Sequence, residues 1–176
     1  QICIRDSLYV AHILRTEVDS IMNIRSHPQV IIMGDFNDYP TNQSILKILK
    51  AEAPPVKTND LASTTDSANA STVTPSSLKL YHLLARKAKS KNFGSYKFRG
   101  EWGLLDHLIV SGTLLNQSNH FFTSEEKANV CLLPFLLKDD EKYGDKEPFR
   151  TYKGMKYQGG ISDHLPIYTD FELILY

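Results

Sequence analysis

The sequence predicts an α/β layered domain from three features: a leading amphipathic helix, a β-branched apolar run directly after it, and later apolar runs alternating with helical or polar stretches. At 176 residues and 41% hydrophobic content, the chain is long enough for one domain with its own core. Asp6 and Ser7 are placed to cap a helix running to about Asn23, because Ala11, Leu14, Val18, Ile21 and Met22 recur at helical spacing. His27-Pro28 stops it, and Gln29 to Met33 reads as a strand covered on both faces. After Gly34 to Pro40, Thr41 is placed to cap a second helix through about Lys50, with Ile45, Leu46, Ile48 and Leu49 on its apolar side.

Residues 54–77 are dense in Ser, Thr, Asn, Asp, Ala and Pro and read as a flexible loop. Leu78 to Lys89 reads as a short basic helix. Tyr96 to Arg99 and Leu104 to Ser111 read as two strands joined by Gly100 to Gly103. Ala128 to Leu137 is apolar and fits strand or helix, residues 138–156 read as a charged surface loop, and Ile167 to Leu175 reads as the last strand, entered through Pro166.

Lys plus Arg equals Asp plus Glu at 20 each, so no global positive field draws in nucleic acid or an anionic membrane, and any polyanion must be met locally. Cys3 and Cys131 lack the spacing of a zinc site or disulfide framework and read as small buried hydrophobes. No stretch approaches the roughly 20 apolar residues that span a bilayer. The chain opens at Gln1 without an initiator Met, so a trimmed N-terminus is expected.

Three segments place carboxylate, amide or imidazole groups beside a predicted strand: Gly34-Asp35-Phe36-Asn37, Leu105-Asp106-His107-Leu108 and Ser162-Asp163-His164. Gly34 permits a turn that a Cβ would hinder, and Asp35 and Asn37 then lie at the strand's carboxyl end, where open α/β sheets place ligands. A carboxylate there takes a proton from water or binds a cation, and an amide donates to a phosphoryl oxygen. An Asx-rich turn explains the same residues. Asp106 shares a strand face with Leu104, Leu108 and Val110, where a carboxylate needs a partner, and a His would satisfy it. His107 points the other way and reads as structural or exposed. Asp163 and His164 face opposite sides, so they serve different partners, although a solvated turn accounts for the pair equally well. Trp102 beside Arg99 suits packing on a base or binding a phosphate, or else covering the core edge. No Gly-x-Ser-x-Gly elbow, Walker A loop or His-Glu-x-x-His motif is present.

Ile32-Met33-Gly34-Asp35-Phe36-Asn37, Trp102 to Ser111 and Gly160-Ile161-Ser162-Asp163-His164-Leu165-Pro166, in that order, resemble the endonuclease/exonuclease/phosphatase superfamily. The string from Pro148 through Pro166 is similar to uncharacterised Bacteroides-type members. The resemblance implies the deoxyribonuclease I-like four-layer fold, a β-sandwich flanked by helices, with residues 1–176 its C-terminal half and the N-terminal half missing. It further implies that Asp35 orients or deprotonates the attacking water, Asn37 stabilises the pentacoordinate phosphate, Asp106 orients His164, and His164 donates to a nonbridging oxygen. Asp163 helps hold Mg²⁺ or Mn²⁺, whose principal Glu ligand is expected in the missing half.

The implied substrate is a phosphoester such as a nucleic acid, a phospholipid headgroup or a small nucleotide. A lone half is expected to be inactive and to self-associate or pair with its missing half, as an expressed fragment, a cleavage product or a truncated gene would. The competing expectation is a non-catalytic domain that keeps the fold and binds phosphorylated ligands or protein.

Overall fold

In the computed structural model, which describes residues 2–56 and 75–175, the first element is helix α1, Ile2–Ile24. It starts before the expected Asp6-Ser7 cap, which lies inside it. Ala11, Val18 and Met22 are buried along one stripe while Ile21 is exposed, so that stripe is narrower than the spacing suggests. Strand β1, Ile31–Asp35, follows. The segment expected to be a second helix forms only the short π-type turn Ser44–Leu49. Thr41 does not cap it; instead Asp38 accepts hydrogen bonds from Asn42 Nδ2 at 2.6 Å and Ser44 Oγ at 2.5 Å. Ile45 and Leu49 are buried by this turn and Leu46 is exposed.

After strand β2, Ala51–Glu52, most of the expected 54–77 loop lies outside the described residues. The expected basic helix is instead strand β3, Leu80–His82, followed by turns and one 3₁₀ turn at Lys87–Lys89. The reason is tertiary: β3 pairs with both of its sheet neighbours, and every side chain of Leu80 to Leu84 is buried. Strands β4, Tyr96–Phe98, and β5, Glu101–Gly103, form a hairpin, so the expected link at residues 100–103 is itself largely strand. Strand β6 spans Asp106–Ser111.

The main sheet has the order β1-β6-β3-β2, antiparallel except for β2 beside β3. On one face Val30, Leu80 and Ile109 pack with Val18 and Met22 of α1 and with Ile45 and Leu49 of the Ser44–Leu49 turn. On the other face Leu83, Leu84, Leu104, Leu108, Val110, Leu114 and Leu165 pack together. The expectation that β1 is covered on both faces is not met, since Ile31 is 44% and Met33 58% exposed. Their register partners Val110 and Leu108 are buried on the same face. β1 is the edge strand, and the second packing layer reaches β6 and β3 without extending over it.

The rest of the chain forms small two-stranded ribbons: β7 Phe121–Phe122, β8 Ala128–Val130, β9 Leu137–Asp139, β10 Lys146–Pro148, β11 Tyr152–Lys153, β12 Lys156–Tyr157, β13 Ile167–Thr169 and β14 Glu172–Leu173. β13 pairs with β8 and β14 with β7, so the expected single last strand is broken at Asp170-Phe171. The 138–156 stretch is not a plain surface loop. β9 pairs with β10, and Lys97 forms an ion pair with Asp140 at 3.2 Å, each side chain 3% exposed. Burial alone would raise the Asp140 carboxyl. The Tyr143 and Lys142 N–H groups and the Lys97 ammonium outweigh it and hold the group below its ordinary range. Cys131 is a free thiol, half-buried beside the second core; the Cys3 side chain lies outside the described residues.

Candidate active site

The register of β1 on β6 creates the site. Asp35 pairs directly with Asp106 at the carboxyl end of β1, so two residues far apart in sequence project from adjacent positions on one sheet. Directly opposed like charges repel, and among the described residues neither carboxylate has a Lys or Arg ion-pair partner. Asp106 Oδ2 accepts instead from His164 Nδ1 at 2.7 Å and from the Ser95 hydroxyl. Because an ionised carboxylate only accepts, His164 carries its proton on Nδ1 and turns Nε2 away from Asp106.

His164 is held from several sides. It bridges Tyr96 across the start of β4, Leu165 N–H donates to Ser95 O at 2.7 Å, and the Tyr96 ring lies 4.9 Å from the imidazole. Upstream, Ile161 N–H donates to Phe149 O at 2.8 Å and Gly160 N–H to Arg150 O at 3.2 Å. This approach is so close that a Cβ on Gly160 would sit 2.0 Å from the Phe149 oxygen. The Arg150 guanidinium lies 5.1 Å from the Tyr96 ring and donates to Lys97 O.

The loop after β1 is equally specified. Gly34 has φ +148°, which side chains rarely adopt, and Asn37 sits in the left-handed region at φ 52°, which Asn tolerates. Asn37 N–H donates to Asp35 Oδ1 at 2.8 Å, so the Asx turn weighed from sequence is present alongside the cluster. Phe36 N–H donates to Leu105 O at 3.0 Å, tying this loop to the residue before Asp106.

Asp35, Asp106 and His164 each offer a ligand atom, and those atoms lie within 4.8 Å of one another. This oxygen-rich set fits a hard divalent cation. Asp163 is exposed and lies outside that cluster, one residue from His164. Trp102 is half-buried against the second core, with the Lys97 ammonium 5.8 Å from its ring, which is the core-covering alternative weighed from sequence. Arg99 lies against Phe98, 5.2 Å from its ring, with no described contact to the cluster.

Sequence reasoning missed Ser95 and the pairing of His82 with His107. Ser95 precedes a strand in an ordinary Gly-Ser turn and carries no signal. His107, read as structural or exposed, is fully buried, with Nδ1 2.5 Å from His82 Nε2 and Nε2 2.8 Å from Asp38 O. Burial, reinforced by the charge His107 would carry, pushes the His82 imidazole down to about 3. Burial lowers His107 as well, against the opposing pull of the Asp38 carbonyl.

A sheet-edge cluster of two carboxylates and a carboxylate-held imidazole is an arrangement suited to polar group transfer. A model of the endonuclease/exonuclease/phosphatase family matches residues 5–64 and 57–173, and the chain belongs to that family. Its members are generally hydrolases of phosphoester bonds and commonly use divalent metals. The match reaches the family and no bacterial subgroup. No curated protein and no solved structure matches the chain.

Proposed function

We propose that residues 1–176 are the C-terminal half of a metal-dependent phosphoesterase domain, and that the Asp35–Asp106–His164 cluster is its share of the active site. The observation that carries this reading is the 2.7 Å contact between His164 Nδ1 and Asp106 Oδ2, with Asp35 opposite Asp106 in register. The reaction is in-line hydrolysis of a phosphodiester or phosphomonoester. Asp35 orients the attacking water and accepts its proton. Asn37 directs its amide at the phosphorane oxygens, and the imidazole of His164, when protonated, donates from Nε2 to a nonbridging oxygen. Asp106 stabilises that charged imidazole and fixes its orientation.

The carboxylates of the cluster and Asp163 suit Mg²⁺ or Mn²⁺, which would neutralise charge developing on the phosphoryl group. In this reading Asp163 helps hold the ion and the principal Glu comes from an N-terminal half. Arg99 and Trp102 are left without a role, since one lies against Phe98 and the other on the core.

The exposed β1 side chains Ile31 and Met33, with Tyr9 and Val10 of α1, support the half-domain reading. An N-terminal half would cover such apolar surface and complete the four-layer sandwich. This chain alone would then be inactive and prone to associate with itself or with that half, and light scattering that finds a folded monomer in dilute solution counts against it. Nucleic acids, phospholipid headgroups and small nucleotides all offer the required phosphoester. Among the described residues no helix is long and apolar enough to cross a membrane.

The test of the reading is Asp35→Asn in the full-length protein. Mg²⁺-dependent hydrolysis of a phosphodiester is expected to fall by about 10²-fold or more. Unchanged activity would remove Asp35 from the mechanism and the reading with it.

A further inference from the structure

The buried imidazoles of β3 and β6 form a chain whose direction is set from both ends. At one end the Leu84 N–H, which can only donate, lies 3.1 Å from His82 Nδ1. That nitrogen therefore holds a lone pair, and the proton of the neutral ring sits on Nε2. His82 Nε2 is 2.5 Å from His107 Nδ1, which must accept. The proton of His107 is then on Nε2, 2.8 Å from the Asp38 carbonyl, which can only accept. Obligate donor and obligate acceptor demand the same arrangement, with two protons on two rings and every ring nitrogen paired.

The chain ends on the loop that carries Asp35 and Asn37. The Asp38 carboxylate is itself held by Asn42 and Ser44, and the Phe36 ring stands edge-on to His107 at 5.0 Å between centroids. Besides these contacts the segment is held by the β1–β6 pairing at Asp35, by Phe36 N–H to Leu105 O, by Asn42 N–H to Tyr39 O and by its own Asx turn. The Asp35 and Asn37 side chains are exposed, so packing does little to fix them, whereas the Tyr39 ring lies close against Gly103. The carboxylates of Asp35, Asp38 and Asp106 act on the His107 end, but at the His82 end Ile109 and Leu80 are fully buried, and a purely structural position there would be filled at lower desolvation cost by Leu or Phe.

We propose that His82 and His107 are positioning residues: a directional hydrogen-bond relay from the core that sets the Asp35–Asn37 loop in its reactive geometry. This rests on the assignment of Asp35 to the reaction, but the relay itself is read without any activity measurement. ¹⁵N–¹H correlation spectra of the imidazoles in the wild-type chain are expected to show both rings with the proton on Nε2. A proton on Nδ1 of either ring overturns the relay, whatever the variants do.

The second measurement is amide hydrogen exchange in His107→Phe, which keeps a ring against Phe36 but offers Asp38 no donor, and in His107→Gln, whose amide can still reach the Asp38 carbonyl. Exchange at Phe36 and Asn37 is expected to rise about fivefold in His107→Phe, the factor for one net hydrogen bond of about 1 kcal/mol. It should return towards wild type in His107→Gln, with Ile109 and Val110 unchanged throughout. Equal loosening of loop and strand, or no loosening of the loop, overturns the proposal. In the full-length protein His107→Phe is expected to lower kcat by about 10²-fold with KM little changed, as a small misplacement of a reacting group does. If Asp35→Asn leaves activity intact, the hydrolase reading fails while the spectra and exchange rates still decide the relay.

Discussion

Acidification from pH 7 to pH 5 is expected to cost this fold about 2 kcal/mol through His82 alone. The folded chain holds His82 at about 3, against an ordinary value of 6.5. Between those values the unfolded chain binds a proton that the folded chain refuses, so stability rises with pH and is lost as pH falls below 6.5. Each unit of that window is worth about 1.36 kcal/mol. At pH 5 the chain is about 1.5 units into the window, which gives about 2 kcal/mol, and the full loss below pH 3 would be about 5 kcal/mol.

His107, lowered by burial, adds in the same direction. Most carboxylates are still ionised at pH 5, so the imidazoles dominate this interval. Urea unfolding at the two pH values measures the change directly as a shift in midpoint at constant slope. His82→Phe should shrink the pH difference by about the same 2 kcal/mol, and because the comparison is made within each variant, the substitution's own packing cost cancels. Wild-type stability that is equal at the two pH values, or higher at pH 5, would refute the claim that these rings are held neutral.

Asp106→Asn keeps the shape of the carboxylate but removes the charge facing His164 Nδ1; kcat for phosphoester hydrolysis in the full-length protein is expected to fall by about 10²-fold or more, measured under saturating substrate. Gly160→Ala would drive a Cβ into the Phe149 carbonyl at 2.0 Å. It should destabilise the chain by about 1–3 kcal/mol in thermal unfolding and displace the Ser162–His164 segment. Chelation with EDTA should abolish hydrolysis by the full-length protein, and either Mg²⁺ or Mn²⁺ should restore it, while Ca²⁺, which takes looser coordination, should restore less.

Local chemistry made much of this protein legible from its sequence. The periodicity of Ala11, Val18 and Met22 marks α1, and the short apolar run Val30 to Met33, with three β-branched residues in a row, marks β1. The alternation around Asp106 separates its face from that of His107 because side chains in a strand alternate. The same alternation shows that a carboxylate on an apolar face needs a partner. The expected Asp106–His164 pairing is present, but two assignments of local structure failed because distant residues decide them. Leu78 to Lys89 has the composition of a basic helix, yet Leu80 to His82 pair between β6 and β2, and those ladder bonds override a weak local preference. Residues 138–156 look like a solvated loop, yet Lys97 from another hairpin buries Asp140 there.

The residues able to do chemistry, and the strand ends where they sit, follow from the sequence itself, because glycine turns, strand periodicity and side-chain functional groups are properties of neighbouring residues. Which of them meet was decided by tertiary structure. Asp35 faces Asp106 only through strand register, His164 reaches Asp106 only because residues 160–165 are tied to Phe149, Arg150 and Ser95, and Asp163 is left outside the three-residue cluster. The His82–His107 relay belongs to the same class. Its two rings are buried on paired strands, and a contact between residues 25 apart in the chain leaves no trace in the spacing of either.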